Sequence, residues 1–322
     1  MVEITSRKTI IAIILLIIVG VTAVIAVSQF YKPEEATPGP VSIIDDAGRN
    51  VTITDFPPQR IVSTAASCTE ILFALGLGDK VVGVDEYSDY PPEVLERVDA
   101  GTLTTVGSFA EINIELVVSL EPDLIVATGG VQSAVVENLE GQGQTIIVLY
   151  PKRFDGVLTD ISLVGEITGQ TDEAEEIVTD MQERAQEIAE KVKDLPKIPV
   201  YIEMFFNGGY WTFGSDSYVD ELISMAGGTN VFSGVSGGHI STSSEEILQA
   251  NPEIIIISRG AMADACGLTE EVIRARPGWN EISAVKNDQI YEVKESIIVL
   301  GVPRLIDGLE AIAEIIHPEL FS

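Results

Sequence analysis

Two cysteines and two histidines are all the soft ligands this chain of 322 residues carries. Cys68 and Cys266 are too few for a disulfide framework, and neither stands in a metal-type pair. They read as free thiols, or at most as one bridge that would restrict motion between halves. A structural zinc site would need about four N or S ligands, which is every Cys and His of the chain, and these stand in no ligand-type spacing, so none is expected. Basic residues are also scarce. Against 50 Asp and Glu there are 19 Lys and Arg, a net charge of −31. Nucleic-acid binding needs a basic footprint, and adhesion to anionic lipid needs a basic patch; neither is expected. The acidity reads as a solvated surface. No P-loop occurs.

Two near-motifs fail on context. Gly234-Val235-Ser236-Gly237-Gly238 fits the Gly-x-Ser-x-Gly pattern of serine hydrolases. That pattern needs a helix directly after the serine, whereas the next helix is predicted near Ser243. Of the two later histidines, His239 lies three residues on in the same loop and His317 stands at a helix end. Ser236 therefore reads as part of a glycine-rich loop. Gly76-Leu77-Gly78 follows a helix and precedes a strand, the wrong order for a dinucleotide turn, and reads as a helix terminus. No catalytic residue, intrinsic cofactor or protein-held metal is expected, and the chain is not expected to be an enzyme.

Long apolar runs are confined to one place. Arg7 and Lys8 precede a run from Ile10 to Val27, which as a helix would rise about 27 Å, close to a hydrocarbon core. It reads as a transmembrane anchor. The alternative is a signal segment cleaved at Val24-Ile25-Ala26. No cysteine follows closely, so a lipid anchor is not expected. The basic flank puts residues 1–9 inside and the rest outside. Residues 28–40 read as an extended, proline-containing tether.

The remainder contains a duplication. Glu115–Gly130 (ELVVSLEPDLIVATGG) and Glu245–Gly260 (EEILQANPEIIIISRG) align without a gap, with Glu115 on Glu245, Pro122 on Pro252 and Gly130 on Gly260. A second echo sets Glu70…Gly76 on Glu221…Gly227. Each copy reads as a short helix followed by a β-branched strand, which suits a parallel sheet covered on both faces. The spacing predicts two Rossmann-like α/β lobes with mostly parallel sheets, not a short-period solenoid. Residues 41–153 form the first lobe, led by a hairpin over Val41–Ile53. Residues 154–195 form an all-helical connection, and residues 196–322 the second lobe. In detail, Ser67 or Thr69 is expected to cap a helix from Glu70, a strand is expected over Val200–Phe205, and a terminal helix from Arg304 to Ile316. A ligand cleft belongs between the lobes. Aromatics on predicted loops are its candidate walls: Tyr87, Tyr90, Phe109, Phe205, Phe206, Tyr210 and Trp211, whose flat rings suit a large, partly apolar ligand.

Arg60–Pro92 (RIVSTAASCTEILFALGLGDKVVGVDEYSDYPP), Asn113–Ala127 (NIELVVSLEPDLIVA) and Pro303-Arg304-Leu305 together resemble substrate-binding proteins of ABC transporters, of the cobalamin and ferric-siderophore class. The resemblance spans roughly Val41 to Phe321. It implies an extracytoplasmic monomer that holds a metal chelate, either a corrinoid or a ferric siderophore or haem, in a shallow cleft. It also implies partners: a membrane permease with its ATPase. In that family a glutamate at the tip of each lobe docks on permease arginines; the matching positions are Glu115 and Glu245, with Glu246 one residue away. Tyr87-Ser88-Asp89-Tyr90-Pro91 resembles the cleft segment of cobalamin binders. Phe109, Thr128 and His239 stand where such proteins carry tryptophans. With Trp211 and Arg304 they complete the expected ligand contacts. Two other classes stay open. A metal-cluster oxidoreductase subunit on the same fold would need clustered Cys or His ligands. A ligand sensor or surface interaction protein would use the fold without transport.

Overall fold

The computed structural model describes residues 39–321. The segment expected to anchor or target the chain lies outside them. Among the described residues no helix is long and apolar enough to cross a membrane.

The chain opens with the predicted hairpin, β1 (Val41–Ile44) against β2 (Asn50–Ile53), antiparallel with Val41 opposite Ile53. Asp45 makes the turn: its carboxylate accepts from the backbone N–H groups of Ala47 and Arg49 and from the Arg49 guanidinium. The first lobe then runs β3 (Ile61–Ser63), α1 (Ala66–Ala74), β4 (Val81–Val84), α2 (Pro92–Asp99), β5 (Thr104–Thr105), α3 (Ile114–Ser119), β6 (Leu124–Thr128), α4 (Ser133–Gly141) and β7 (Ile146–Leu149). Its sheet is parallel throughout, in the order β5-β4-β3-β6-β7.

Two helices leave this lobe. α5 (Phe154–Thr168) buries Val157, Ile161 and Val164 and ends at Gly169, whose φ of 76° supplies the left-handed C-cap. α6 (Thr171–Val192) is the longest described element; its 22 residues rise about 33 Å. It buries Ala174, Met181, Ala185, Ile188 and Val192 in one stripe and turns its acidic face to water. Gly165 lets the two helices meet closely, since a Cβ there would sit 2.4 Å from that of Ala174.

The second lobe repeats the frame: β8 (Ile198–Glu203), β9 (Phe205–Phe206), β10 (Tyr210–Phe213), α7 (Tyr218–Met225), β11 (Gly228–Asn230), β12 (His239–Thr242), α8 (Ser244–Ala250), β13 (Ile254–Arg259), α9 (Ala261–Ala265), α10 (Glu270–Ala275), α11 (Ser283–Lys286), β14 (Ile290–Lys294) and α12 (Leu305–Ile316), with a last turn of helix, α13 (Pro318–Phe321). Its parallel sheet has the order β11-β8-β13-β14. Strand for strand this matches β4-β3-β6-β7. What the duplication does not foretell is an antiparallel three-stranded sheet, β12-β10-β9, spliced into the second copy.

Leu124–Ala127 and Ile254–Ser258 are buried without a break, because helices cover both faces of each sheet. Three local expectations need correcting. α1 begins at Ala66 with Ala65 as N-cap and no side-chain cap. The Thr69 hydroxyl instead bonds Ser63 and Ser88, tying the helix to the end of β3 and to the loop after β4. The strand expected over Val200–Phe205 breaks at Met204, whose N–H bonds the Trp211 carbonyl as the chain turns into the inserted sheet. The terminal helix starts at Leu305, with Arg304 as its N-cap.

Candidate functional site

A cleft of about 300 Å³ opens between the lobes. Its first-lobe wall is built at the C-terminal ends of parallel strands, the usual ligand edge of open α/β sheets. Thr128 ends β6 and Leu149 ends β7, and the chain continues through Tyr150, Pro151 and Lys152. Phe109 joins them from a loop fixed by one buried amide. Gln132 donates to the carbonyls of Thr64 (2.6 Å) and Phe109 (2.9 Å) and accepts from the Thr64 hydroxyl and the Thr128 N–H. All four hydrogen-bonding positions of the amide are used. Lys152 lies over the Tyr150 ring, 3.2 Å from its centroid. Gly129 makes room for that ring, since a Cβ there would meet it at 2.7 Å.

The second-lobe wall comes from the inserted sheet and the loop after β14. Phe213 and His239 are cross-strand partners on β10 and β12, so their side chains share one face; the rings lie 5.4 Å apart. The walls of the cleft, and after them the Lys152 ammonium, hold the His239 pKa below its ordinary value. The imidazole is thus neutral at pH 7 and offers a lone pair. Tyr218 donates its hydroxyl to the Val299 carbonyl, and burial pushes its pKa up. Asp216 accepts from Ser236 Oγ (2.6 Å) and the Gly237 N–H (2.8 Å), and the Ser236 bond leads in holding its carboxyl below the usual range. Ser236 is therefore a loop-closing donor. It precedes β12, not a helix, so no nucleophile elbow exists there.

Asp160 of α5 forms part of the cleft floor. It is 1% exposed, and neither carboxyl oxygen has a hydrogen-bond partner among the described residues. Burial, then the like charge of Asp46, pushes its pKa up to about 8. Sequence reading passed over it. The signal was its register: Asp160 lies three residues after Val157 and four before Val164, on the face that α5 buries.

Of the expected ligand contacts, the structure brings Phe109, Thr128 and His239 together in the cleft. Tyr87, Trp211 and Arg304 do not line it. Tyr87 is 58% exposed on a turn held by Asp85. Trp211 shares the face of Phe213 two residues back along β10, but stacks on Phe205 at 5.5 Å and donates to Asn207. Arg304 is committed elsewhere. It makes two hydrogen bonds to Glu70 (2.7 and 2.6 Å) and lies 3.6 Å from the centroid of the Tyr90 ring. That pair crosses between the lobes, from the N-cap of α12 to α1. Glu221, the duplicate of Glu70, is bound by the connecting segment instead, through Arg153 and the Phe154 N–H.

Glu115 and Glu245 are both the second residue of their helices, and both are exposed. The caps before them also align, Asn113 on α3 and Ser243 on α8. Glu246 is occupied: it closes a capping box with Ser243 and bonds the Thr242 hydroxyl. Of the two neighbours in the second lobe, Glu245 is the one whose side chain is left to solvent. Among the described residues no cluster of three or more His, Cys, Asp or Glu could hold a metal, and Cys68 (buried) and Cys266 (exposed) are unbridged.

Residues 61–297 match the periplasmic binding protein family. A Bacillus subtilis protein described as an uncharacterized ABC transporter substrate-binding lipoprotein, YvrC, is 34% identical over 290 residues, covering 88% of this chain and 87% of its own. The vitamin B12-binding protein of Vibrio cholerae is 30% identical over 259 residues, covering 80% and 88%. The crystal structure of the periplasmic vitamin B12 binding protein BtuF of Vibrio cholerae superposes with a TM-score of 0.69 at 29% identity, covering 81% of this chain and 98% of that one.

Proposed function

This chain belongs to the periplasmic binding protein family, and from that premise we propose that it is the extracytoplasmic substrate-binding component of an ABC importer that captures a corrinoid and delivers it to a permease and its ATPase. It binds its ligand and performs no chemistry on it.

One observation carries the reading. A cleft walled by Phe109, Tyr150 and Phe213, with a neutral imidazole at its rim, is flanked by two lobes that each end in an exposed glutamate at the same helical position. Flat aromatic walls suit a broad, partly apolar ligand. Carboxylates at matched tips suit two-point docking on arginines. The vitamin B12-binding relative supports a corrinoid. The ferric chelates, siderophore or haem, form the second reading, favoured by Phe109, Thr128 and His239 at positions where cobalamin binders carry tryptophan. The run over residues 10–27 would tether the protein to the outer face of the membrane. YvrC is described as a lipoprotein; here no cysteine follows the run closely, so the run itself would be the tether.

Titration calorimetry of the full chain in detergent against cobalamin, cobinamide, ferric siderophores and haem tests this. Saturable binding of the corrinoids alone is the expected result. Binding of a ferric chelate alone would move the assignment to iron uptake, and binding of none of them would overturn it.

A further inference from the structure

Among the described residues Asp160 makes no hydrogen bond and no ion pair that would hold the fold. A buried carboxylate without a partner is strongly unfavourable, and replacing one with an apolar side chain would normally relieve the protein. Yet Asp160 sits in the floor of the cleft, with both oxygens unclaimed among the described residues. Among the described residues no cation forms a salt bridge with it.

The groups that face it explain its state. From the β1–β2 turn comes the Asp46 carboxylate, a like charge. From α1 comes Cys68, a thiol that burial keeps protonated. From α7 comes Tyr218, whose proton is given to Val299. Lys152 lies over Tyr150, and His239 stands across the cleft as a neutral ring. Burial and Asp46, a like charge close enough to accept a proton from it, both favour the protonated acid, so Asp160 is a planar group with one donor and one acceptor.

We infer that Asp160, unpartnered in the floor of the cleft, reads the ligand: its carboxyl group hydrogen-bonds a primary carboxamide of the bound molecule, donating O–H to the amide oxygen and accepting from the amide N–H. The inference rests on the cleft being the ligand site. A cationic ligand group is disfavoured because it would enter beside Lys152. A corrinoid carries neutral primary amides around its ring, so the proposed ligand class supplies the partner.

Cyanocobalamin and dicyanocobinamide are titrated into the wild-type chain, Asp160→Asn and Asp160→Leu between pH 6 and 9.5. Wild-type affinity should be flat below about pH 7 and fall roughly tenfold or more by pH 9.5, as the proton leaves the free protein. Asp160→Asn keeps a donor and an acceptor without a titrating proton. It should bind within about threefold of wild type at pH 6.5 and lose the alkaline fall. Asp160→Leu should bind at least about tenfold more weakly. Leucine binding as tightly as wild type, or a wild-type profile flat to pH 9.5, overturns the inference alone. Asparagine as weak as leucine also overturns it, pointing to an ionised Asp160 and a cationic partner. A wild type that binds neither corrinoid at any pH defeats the cleft reading and this inference together. If Asp160→Leu fails to fold, the asparagine profile still decides.

Discussion

Glu121 and Asn251 share a backbone conformation that non-glycine residues rarely adopt, with φ of 49° and 45°. They occupy the same place in the two copies: each ends the short helix and precedes the proline that starts the strand. The left-handed turn redirects the chain from α3 into β6, and from α8 into β13. The price for a side chain is small but real at Glu121. Glu121→Gly should stabilise the protein by about 0.5 kcal/mol. Asn251→Gly should do the opposite, by about 1 kcal/mol, because Asn251 Oδ1 accepts from the Ser283 N–H at 2.8 Å. Urea denaturation of the two variants measures both.

Neighbouring glutamates on α8 should separate in function. Ser243→Ala removes the cap and should cost about 1 kcal/mol; Glu246→Ala should lower the melting temperature in the same direction. Neither should weaken docking. Glu115→Lys with Glu245→Lys should leave the melting temperature and corrinoid affinity near wild type and abolish stimulation of the transporter's ATPase in reconstituted vesicles. Full stimulation by that double variant would remove both residues from the docking surface.

The Arg304–Glu70 pair ties α12 to α1 across the lobes, with side chains only 17% and 4% exposed. Burial raises the Glu70 pKa while Arg304 opposes it. Arg304→Ala strands a buried carboxyl and should cost about 3 kcal/mol. Arg304→Met with Glu70→Leu should recover most of that and still bind ligand, since Arg304 lies outside the cleft. With this tie and the long α6 in place, free and loaded protein should give the same radius of gyration in small-angle scattering. A compaction of several ångströms would contradict a fixed lobe arrangement.

Asp160 also predicts how the unliganded protein responds to pH. Its carboxyl pKa stands at about 8 folded against an ordinary 3.8. A carboxyl raised on folding favours the folded state when protonated, so stability is lost as pH rises from about 4 through about 8. Asp160→Asn should therefore be more stable than wild type, by on the order of 2–4 kcal/mol at pH 8 and by little at pH 4. Thermal melts at the two pH values give the difference. Equal gains at both would mean the carboxyl is not buried as described.

Much of the frame was legible in the sequence because duplication and β-branched runs are local signals. The parallel strands, the helical connection, and the pairing of Glu115 with Glu245 follow from them. The inserted sheet was not legible, since its strands run only two to four residues and show no period of their own. The cleft wall was harder. Gln132 and Asp160 owe their roles to what surrounds them in space, and neither lies in a recognisable motif. Arg304 illustrates the reverse: its place in a family-like ending suggested ligand contact, while the buried Glu70 claims the guanidinium.

The inserted sheet has a consequence for how such a protein can be re-aimed. β10 and β12 supply Phe213 and His239 to the cleft, yet they hang on the second lobe as an addition to a frame that the first lobe manages without. The segments around residues 204–217 and 231–242 form an exchangeable cartridge. Under the proposed function, replacing them would alter what is captured while α3 and α8, which carry the two glutamates proposed to dock, keep their geometry. On that proposal cargo and address are written in separate stretches of chain, so a new cargo need not require a new transporter.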